Sequence, residues 1–194
     1  GVAYDLPDEV RGHATMEFLD ELVNERLPAA IEQGNNLMTF NEIVRARSIG
    51  VGVLTRAEAI AYSMAGPMLR ASGVNYDVRK AEPYSYYDKL DFDIPVYYNG
   101  DVYDRFRVRM DELQQSLRIV RQVLPYLRET AGAPVIDGKP SYAIRMPGAG
   151  EAYGRVENPK GELGFYVTAK RRGSSPERYH VRAPSFINLT ALGK

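Results

Sequence analysis

The stretch DVYDRFRVRMDELQQSLRIVRQVLPYLRE, residues 101–129, decides how the rest of the chain is read. Val102, Phe106, Met110, Leu113, Leu117, Val120, Leu124 and Leu127 recur at intervals of three and four. That spacing lines one stripe of an α-helix and predicts a long helix buried along it. Pro125 falls in the last turns and predicts a kink or an early end. Arg105, Arg107, Arg109, Arg118 and Arg121 lie off the stripe, with Asp101 placed to pair with Arg105 one turn on. A solvated face is the plain reading of these arginines, and a contact with a neighbouring polypeptide the sharper one.

Downstream of that helix the pattern changes. Residues 131–150 are rich in glycine, proline and small side chains and read as a long loop, which is uncommon inside a compact domain. Ala152 to Glu157, Glu162 to Ala169 and Arg178 to Arg182 then alternate like strands, with RRGSSP at 171–176 as a hairpin loop. Upstream, Asp8 to Glu25 reads as an amphipathic helix with acidic residues in its first turn. Pro28 predicts a kink or restart, and Gly34-Asn35-Asn36 an end. A short helix is expected over Asn41 to Arg47, and Thr55-Arg56-Ala57-Glu58 is a capping box opening a helix to about Ala65. Pro83 to Tyr98 is aromatic, with short elements. The fold class is therefore α+β: mainly helical, with one long buried helix and a small antiparallel sheet. The organisation is a helical part over 1–131, a loop over 132–150, and the sheet with the start of a C-terminal segment over 151–194, all in one structural domain.

Composition removes several function classes. Lys plus Arg and Asp plus Glu are equal at 25 each, so there is no basic excess of the kind that nucleic-acid binders show. The absence of cysteine excludes disulfides, thiolate metal sites and cysteine nucleophiles from this chain. No apolar run approaches the roughly 18 residues of a membrane span. The first residue is Gly1, not methionine, which suggests a cut or processed end.

Local motifs assign no reaction. The two histidines, His13 and His180, have no metal-ligand spacing. Gly148-Ala149-Gly150 with Gly154 has the wrong spacing for a dinucleotide loop and leads into a strand, not a helix. Tyr84, Tyr86, Tyr87, Tyr97, Tyr98 and Tyr103 can donate to a carbonyl or quinone, but packing with a wet hydroxyl explains them more simply. Arg70, Asp77 and Arg79 lie in a glycine- and proline-rich turn. They either line a polar cavity or clamp the loop as an internal ion-pair cluster, and the clamp is favoured.

Five ordered stretches carry a family resemblance: GPMLRASGVNYDVRK (66–80), PYSYYDKLDFDIPV (83–96), GDVYDRFRVRMDELQQSLRIV (100–120), PKGELGFYV (159–167) and RAPSFINL (182–189). They resemble the 49-kDa subunit of respiratory NADH:quinone oxidoreductase, complex I. GVAYDLP at 1–7 resembles a further family segment. The resemblance implies a fragment of a fold related to the large subunit of [NiFe] hydrogenases. It implies a seat in the peripheral, hydrophilic arm of a membrane complex, on the cytoplasmic side of a bacterial inner membrane. The implied partners are the subunit with the terminal iron–sulfur cluster and the quinone-channel membrane subunit. Together they pass electrons from NADH to quinone, coupled to proton translocation. The resemblance implies that this subunit and the terminal iron–sulfur subunit together form the quinone-binding site, while FMN and the iron–sulfur clusters belong to partner subunits.

The family's quinone-facing histidine and tyrosine lie upstream of Gly1, so no catalytic, cofactor-binding or metal-binding residue is assigned here. The residues singled out are structural or subunit-interface charges: Arg70, Asp77, Arg79, Asp104, Arg105 and Glu162. A scaffold within the oxidoreductase is the expected role. An energy-converting [NiFe] hydrogenase homologue and a non-redox interaction module are the alternatives.

Overall fold

The computed structural model describes residues 16–130, 145–146 and 148–193. The start of the first helix, His13, the segment 1–7 and most of the loop expected over 132–150 lie outside the described residues.

The first helical run, α1, covers residues 16–39 without a break. It is α-helical over 16–21, widens to a π-helix over Leu22–Arg26, is α-helical over Leu27–Gly34, and widens again over Asn35–Thr39. The stop expected at Gly34-Asn35-Asn36 does not occur. Gly34 instead permits close packing, since a Cβ there would lie 3.2 Å from Met110 Cε. Asn35 keeps helical backbone, and its side chain accepts a hydrogen bond from Thr39 Oγ1 at 2.8 Å. Pro28 does not end the run either. A proline ring crowds the carbonyl four residues back, and the wider turn just before it gives that carbonyl room.

Helix α2 (Glu42–Ser48) is capped by Asn41, whose Oδ1 accepts from the amides of Ile43 and Val44. Helix α3 (Arg56–Ala61) opens on the expected capping box, but stops well before Ala65. The helical path closes at Ser63, which takes a positive φ of 54°. Two short turns follow, α4 (Pro67–Arg70) and α5 (Val78–Ala81). Pro83 to Tyr98 contributes one 3-10 turn, Tyr87–Lys89.

Helix α6 (Val102–Glu129) is the long helix, and it runs through Pro125 to its expected end. Its burial departs from the expected single stripe. Leu117 and Leu124 are buried against Val23 and Ile31 of α1. At its N-terminal half the buried residues are Asp104 and Val108, while Val102 and Leu113 of the apolar stripe are exposed, as is Leu127 in the last turn. The face changes because α4 and the loops around it pack over the start of α6. Asp101 caps the helix, its Oδ1 accepting from the Asp104 amide at 2.7 Å and its Oδ2 from the Gly50 amide at 2.8 Å. Asp104 accepts from the Asn99 amide at 2.8 Å. These buried carboxylates satisfy loop amides that would otherwise lack partners. Asp101→Ala removes the cap and orphans the Gly50 amide, so a loss of about 2 kcal/mol is expected in urea unfolding.

Strands β1 (Gly150–Asn158), β2 (Gly161–Ala169) and β3 (Arg178–Arg182) form an antiparallel sheet in the order β1-β2-β3. Asn158 pairs with Gly161 at the first turn, and Gly164 with Arg182 across the second ladder. The Gly161 end of the sheet is buried against the helical part. Gly66 and Gly161 meet backbone to backbone there, and a Cβ on Gly161 would lie 2.5 Å from the Gly66 nitrogen. Helix α7 (Pro184–Leu189) fastens the junction through Asn188, which accepts from the Ala65 amide and donates to the carbonyls of Ala65 and Lys160. Leu54, Ala59, Met64 and Leu69 form a second core cluster beside it.

Candidate functional site

Arg70 is the largest fully buried side chain among the described residues, at 1% exposure. The backbone that puts it there begins at Gly66, whose φ of 60° starts the short turn α4, with Pro67 pre-set for its first position. The guanidinium then reaches three separate elements. Its Nε donates to Glu112 Oε1 on α6 at 2.8 Å, and a second nitrogen lies 2.6 Å from the same oxygen. Its third nitrogen donates to Glu157 Oε1 on β1 at 3.1 Å and to the Tyr76 carbonyl at 2.9 Å. Asp77 Oδ2 lies 3.5 Å from that nitrogen.

Asp77 caps α5 and is held mainly by Arg79. Its Oδ1 accepts from the Arg79 amide at 2.9 Å and from Arg79 Nε at 3.0 Å, and its Oδ2 accepts from the guanidinium at 2.7 Å. The Arg79 guanidinium lies over the Phe92 ring, 4.8 Å from its centre. The expected trio of Arg70, Asp77 and Arg79 is therefore brought together. Arg70, Arg79, Glu112 and Glu157 also border a cleft of about 590 Å³, with Arg109 and Lys160 on its rim. Arg70 and Arg79 thus serve in the clamp and line the cleft at once, while Asp77 belongs to the clamp and not to the lining.

Glu162 organises a second cluster on the sheet. Its Oε1 accepts from Tyr153 at 2.7 Å, and its Oε2 from Arg155 at 3.0 Å and from Tyr76 at 3.2 Å. Arg182 Nε lies 3.8 Å from Oε1, and Arg155 also pairs with Glu82. Tyr76 joins the two clusters, since its carbonyl binds Arg70 and its hydroxyl binds Glu162.

Asp104 and Arg105 lie apart from both clusters and serve the start of α6. The Asp101–Arg105 pair expected from spacing is not made as a direct ion pair among the described residues. Asp101 is committed to two amides, and Arg105 donates to the carbonyls of Gly100 at 2.6 Å and Gly52 at 2.9 Å. Of the other helix arginines, Arg118 pairs with Asp91 and Asp93, Arg121 donates to the Val23 carbonyl, and Arg107 covers the Tyr97 ring. Two of the tyrosines pack with bonded hydroxyls, Tyr97 donating to Asp111 at 2.6 Å and Tyr103 to the Thr39 carbonyl at 2.7 Å, and Tyr86 stacks on Tyr126. Burial and the Asp111 carboxylate push the Tyr97 hydroxyl up to about 12. Tyr98 differs in being 81% exposed.

Glu112, Glu157, Arg155 and Tyr76 were not identifiable from the sequence. Glu112 is 42 residues from Arg70 and Glu157 is 87, so no local spacing links them. Among the described residues no group of three or more His, Cys, Asp or Glu side chains is arranged to hold a metal ion. No described helix is long and apolar enough to cross a membrane.

The carboxylates divide by environment. Burial raises Glu112 and Glu157, and the Arg70 charge recovers only part of that cost. Burial also acts on Asp77 and Glu162, but it is outweighed, by Arg79 at Asp77 and by Tyr153, Arg182 and Arg155 at Glu162, so both are lowered. A raised carboxyl favours the folded state below its unfolded value and loses that contribution as pH rises through its folded value. A lowered one contributes above its unfolded value and loses it as pH falls through its folded value. Stability measured by urea unfolding should therefore peak in a mildly acidic window and decline on both sides. A steady rise with pH above the ordinary glutamate value of 4.5 would contradict this.

The family described as respiratory-chain NADH dehydrogenase, 49 Kd subunit, matches residues 1–147 and 139–194. The chain is 50% identical over 197 residues to an NADH-quinone oxidoreductase subunit of Roseiflexus sp. (strain RS-1), covering 100% of this chain and 50% of that protein. It is 47% identical over 192 residues to the corresponding NADH-quinone oxidoreductase subunit of Dehalococcoides mccartyi (strain ATCC BAA-2266 / KCTC 15142 / 195), covering 99% and 49%. The chain thus spans about half the length of the curated relatives it matches. Among solved structures, it resembles a chain of the membrane-bound sulfane sulfur reductase, an archaeal respiratory membrane complex. The TM-score is 0.78 at 35% identity, covering 91% of this chain and 48% of that one.

Proposed function

Because the chain belongs to the family of the 49-kDa subunit of respiratory-chain NADH dehydrogenase, we propose that it is structural framework within that subunit of a membrane-associated NADH:quinone oxidoreductase. The subunit sits in the peripheral arm, on the cytoplasmic side of a bacterial inner membrane. There it meets the subunit with the terminal iron–sulfur cluster and the quinone-channel membrane subunit. Electrons from NADH reach quinone at that boundary, and the reaction drives proton translocation. With no cysteine in the chain, a thiolate-held iron–sulfur cluster does not fit its residues, and clusters and FMN fall to partner subunits.

The observation that carries the framework reading is where the candidate charges point. Arg70, Asp77, Arg79, Asp104, Arg105 and Glu162 all bind backbone or side-chain groups of their own chain. The family match and the 50% identity to an NADH-quinone oxidoreductase subunit favour this assignment over a hydrogenase homologue. The test is to purify the full-length chain alone and with its co-expressed partners. Alone it should reduce no quinone analogue with NADH, and with partners it should co-purify with iron–sulfur subunits and turn over. Turnover by the chain alone would remove the framework reading.

A further inference from the structure

Beside the contact between α1 and α6 an open apolar groove of about 340 Å³ remains, walled by Leu27, Ile31 and Gly34 on one side and Met110, Leu113 and Val120 on the other. Ile31 belongs to the buried core, whereas Leu27 and Leu113 are 37% and 47% exposed. Ser116, a polar side chain on the wall, donates to the Glu112 carbonyl at 2.8 Å and asks nothing of an occupant. Contiguous exposed apolar surface of this kind marks a contact site. Leu113 and Ser116 also border the 590 Å³ cleft at the Arg70 cluster, so groove and cleft adjoin along α6.

The adjoining cleft supplies the charge that selects an occupant. Arg109 and Lys160 are exposed on its rim, and among the described residues neither meets a carboxylate. The Arg109 guanidinium donates only to the Arg105 carbonyl, at 2.7 Å. With Arg70 and Arg79, these two set four cations against the three carboxylates of Asp77, Glu112 and Glu157. One carboxylate from outside makes the count even.

We propose that the groove seats an amphipathic helix from the part of the 49-kDa-type subunit that lies outside these 194 residues, with an Asp or Glu of that helix meeting Arg109 and Lys160. A helix fits because it satisfies its own backbone hydrogen bonds, for which an apolar groove offers no partners. Its apolar residues on successive turns enter the space between α1 and α6 as ridges enter a groove. From Met110 to Val120 that space follows α6 for about 15 Å, nearly three turns. The matched relatives carry about as much polypeptide again outside the region this chain covers, and the sulfane sulfur reductase chain is covered to only 48%. A segment of the same subunit is held near the groove at high effective concentration, which favours it over a separate partner.

The test is photo-crosslinking in the assembled complex, with Leu27 or Leu113 of the full-length subunit replaced, one at a time, by p-benzoylphenylalanine. Both side chains face solvent, and if one position blocks assembly the other still gives the answer. Mass spectrometry should identify one captured segment for both positions, from the same subunit and outside residues 1–194. For the Leu113 position an Asp or Glu should lie within about one helical turn of the captured residue. Arg109→Glu combined with Lys160→Glu should lower that capture by roughly two- to fivefold, the range of an exposed ion pair, and a lysine in place of the captured segment's carboxylate should restore it. Capture of a second copy, of a different subunit or of a peptide within residues 1–194 would overturn the proposal, as would no capture at either position. Capture unchanged by the charge reversal would overturn the assigned carboxylate.

Discussion

Arg70→Ala should lower stability by roughly 3–5 kcal/mol, the penalty for leaving buried charge without its partner. For a chain of this size that corresponds to a fall of roughly 10 °C in Tm. The size of the effect comes from what stays behind. Glu112 loses two contacts, Glu157 Oε1 and the Tyr76 carbonyl lose their Arg70 donor, and Asp77 loses its second cation. Arg70→Lys should recover only part of the loss, because an ammonium cannot present a planar fork to three directions at once. Combining Arg70→Met with Glu112→Gln and Glu157→Gln should cost less than the sum of the single changes, since the carboxylates stranded by the first change are removed by the others. Thermal unfolding of this set measures the coupling, and strict additivity would mean the contacts are not energetically linked.

Gly100→Ala should be comparably damaging, at roughly 3 kcal/mol or more, for a different reason. Gly100 has a φ of 66°, which an L-residue adopts at a cost of about 1–3 kcal/mol. A Cβ there would also stand 2.0 Å from the Leu54 carbonyl oxygen. That oxygen belongs to backbone that cannot step aside, because the Leu54 amide donates to the Gly100 carbonyl and the Gly100 amide to Ala71. Gly50 supplies the control. Its φ is 72°, but nothing lies within 4 Å of the position a Cβ would take. Gly50→Ala should therefore show the conformational cost alone, about 1 kcal/mol. Equal destabilisation of the two variants would argue that the close packing at Gly100 contributes nothing.

Local signals in the sequence located most elements. The three strands, the Thr55 capping box, the Asn41 helix and the long helix all announce themselves within a few residues. Misreadings arose where distant packing overrode a local rule. Gly34 reads as a stop, yet it is a contact point for Met110. The α6 stripe reads as one buried seam, yet loops anchored on Asp101 and Asp104 claim a different face at its start. The charge clusters show the same limit. Arg70, Asp77 and Arg79 sit close together in sequence and invite grouping, whereas Glu112 and Glu157 join them only through the fold. Asp101 and Arg105 illustrate the converse, because good helical spacing does not make a pair when each side chain has a backbone partner to satisfy first.

The framework claim is tested most directly by assembling the membrane complex with Arg70→Ala in the full-length chain. The amount of assembled complex and the NADH:quinone turnover per assembled complex are then measured separately. The account predicts less complex, with turnover per complex preserved. Normal assembly with turnover lost would place Arg70 in the reaction itself and contradict it.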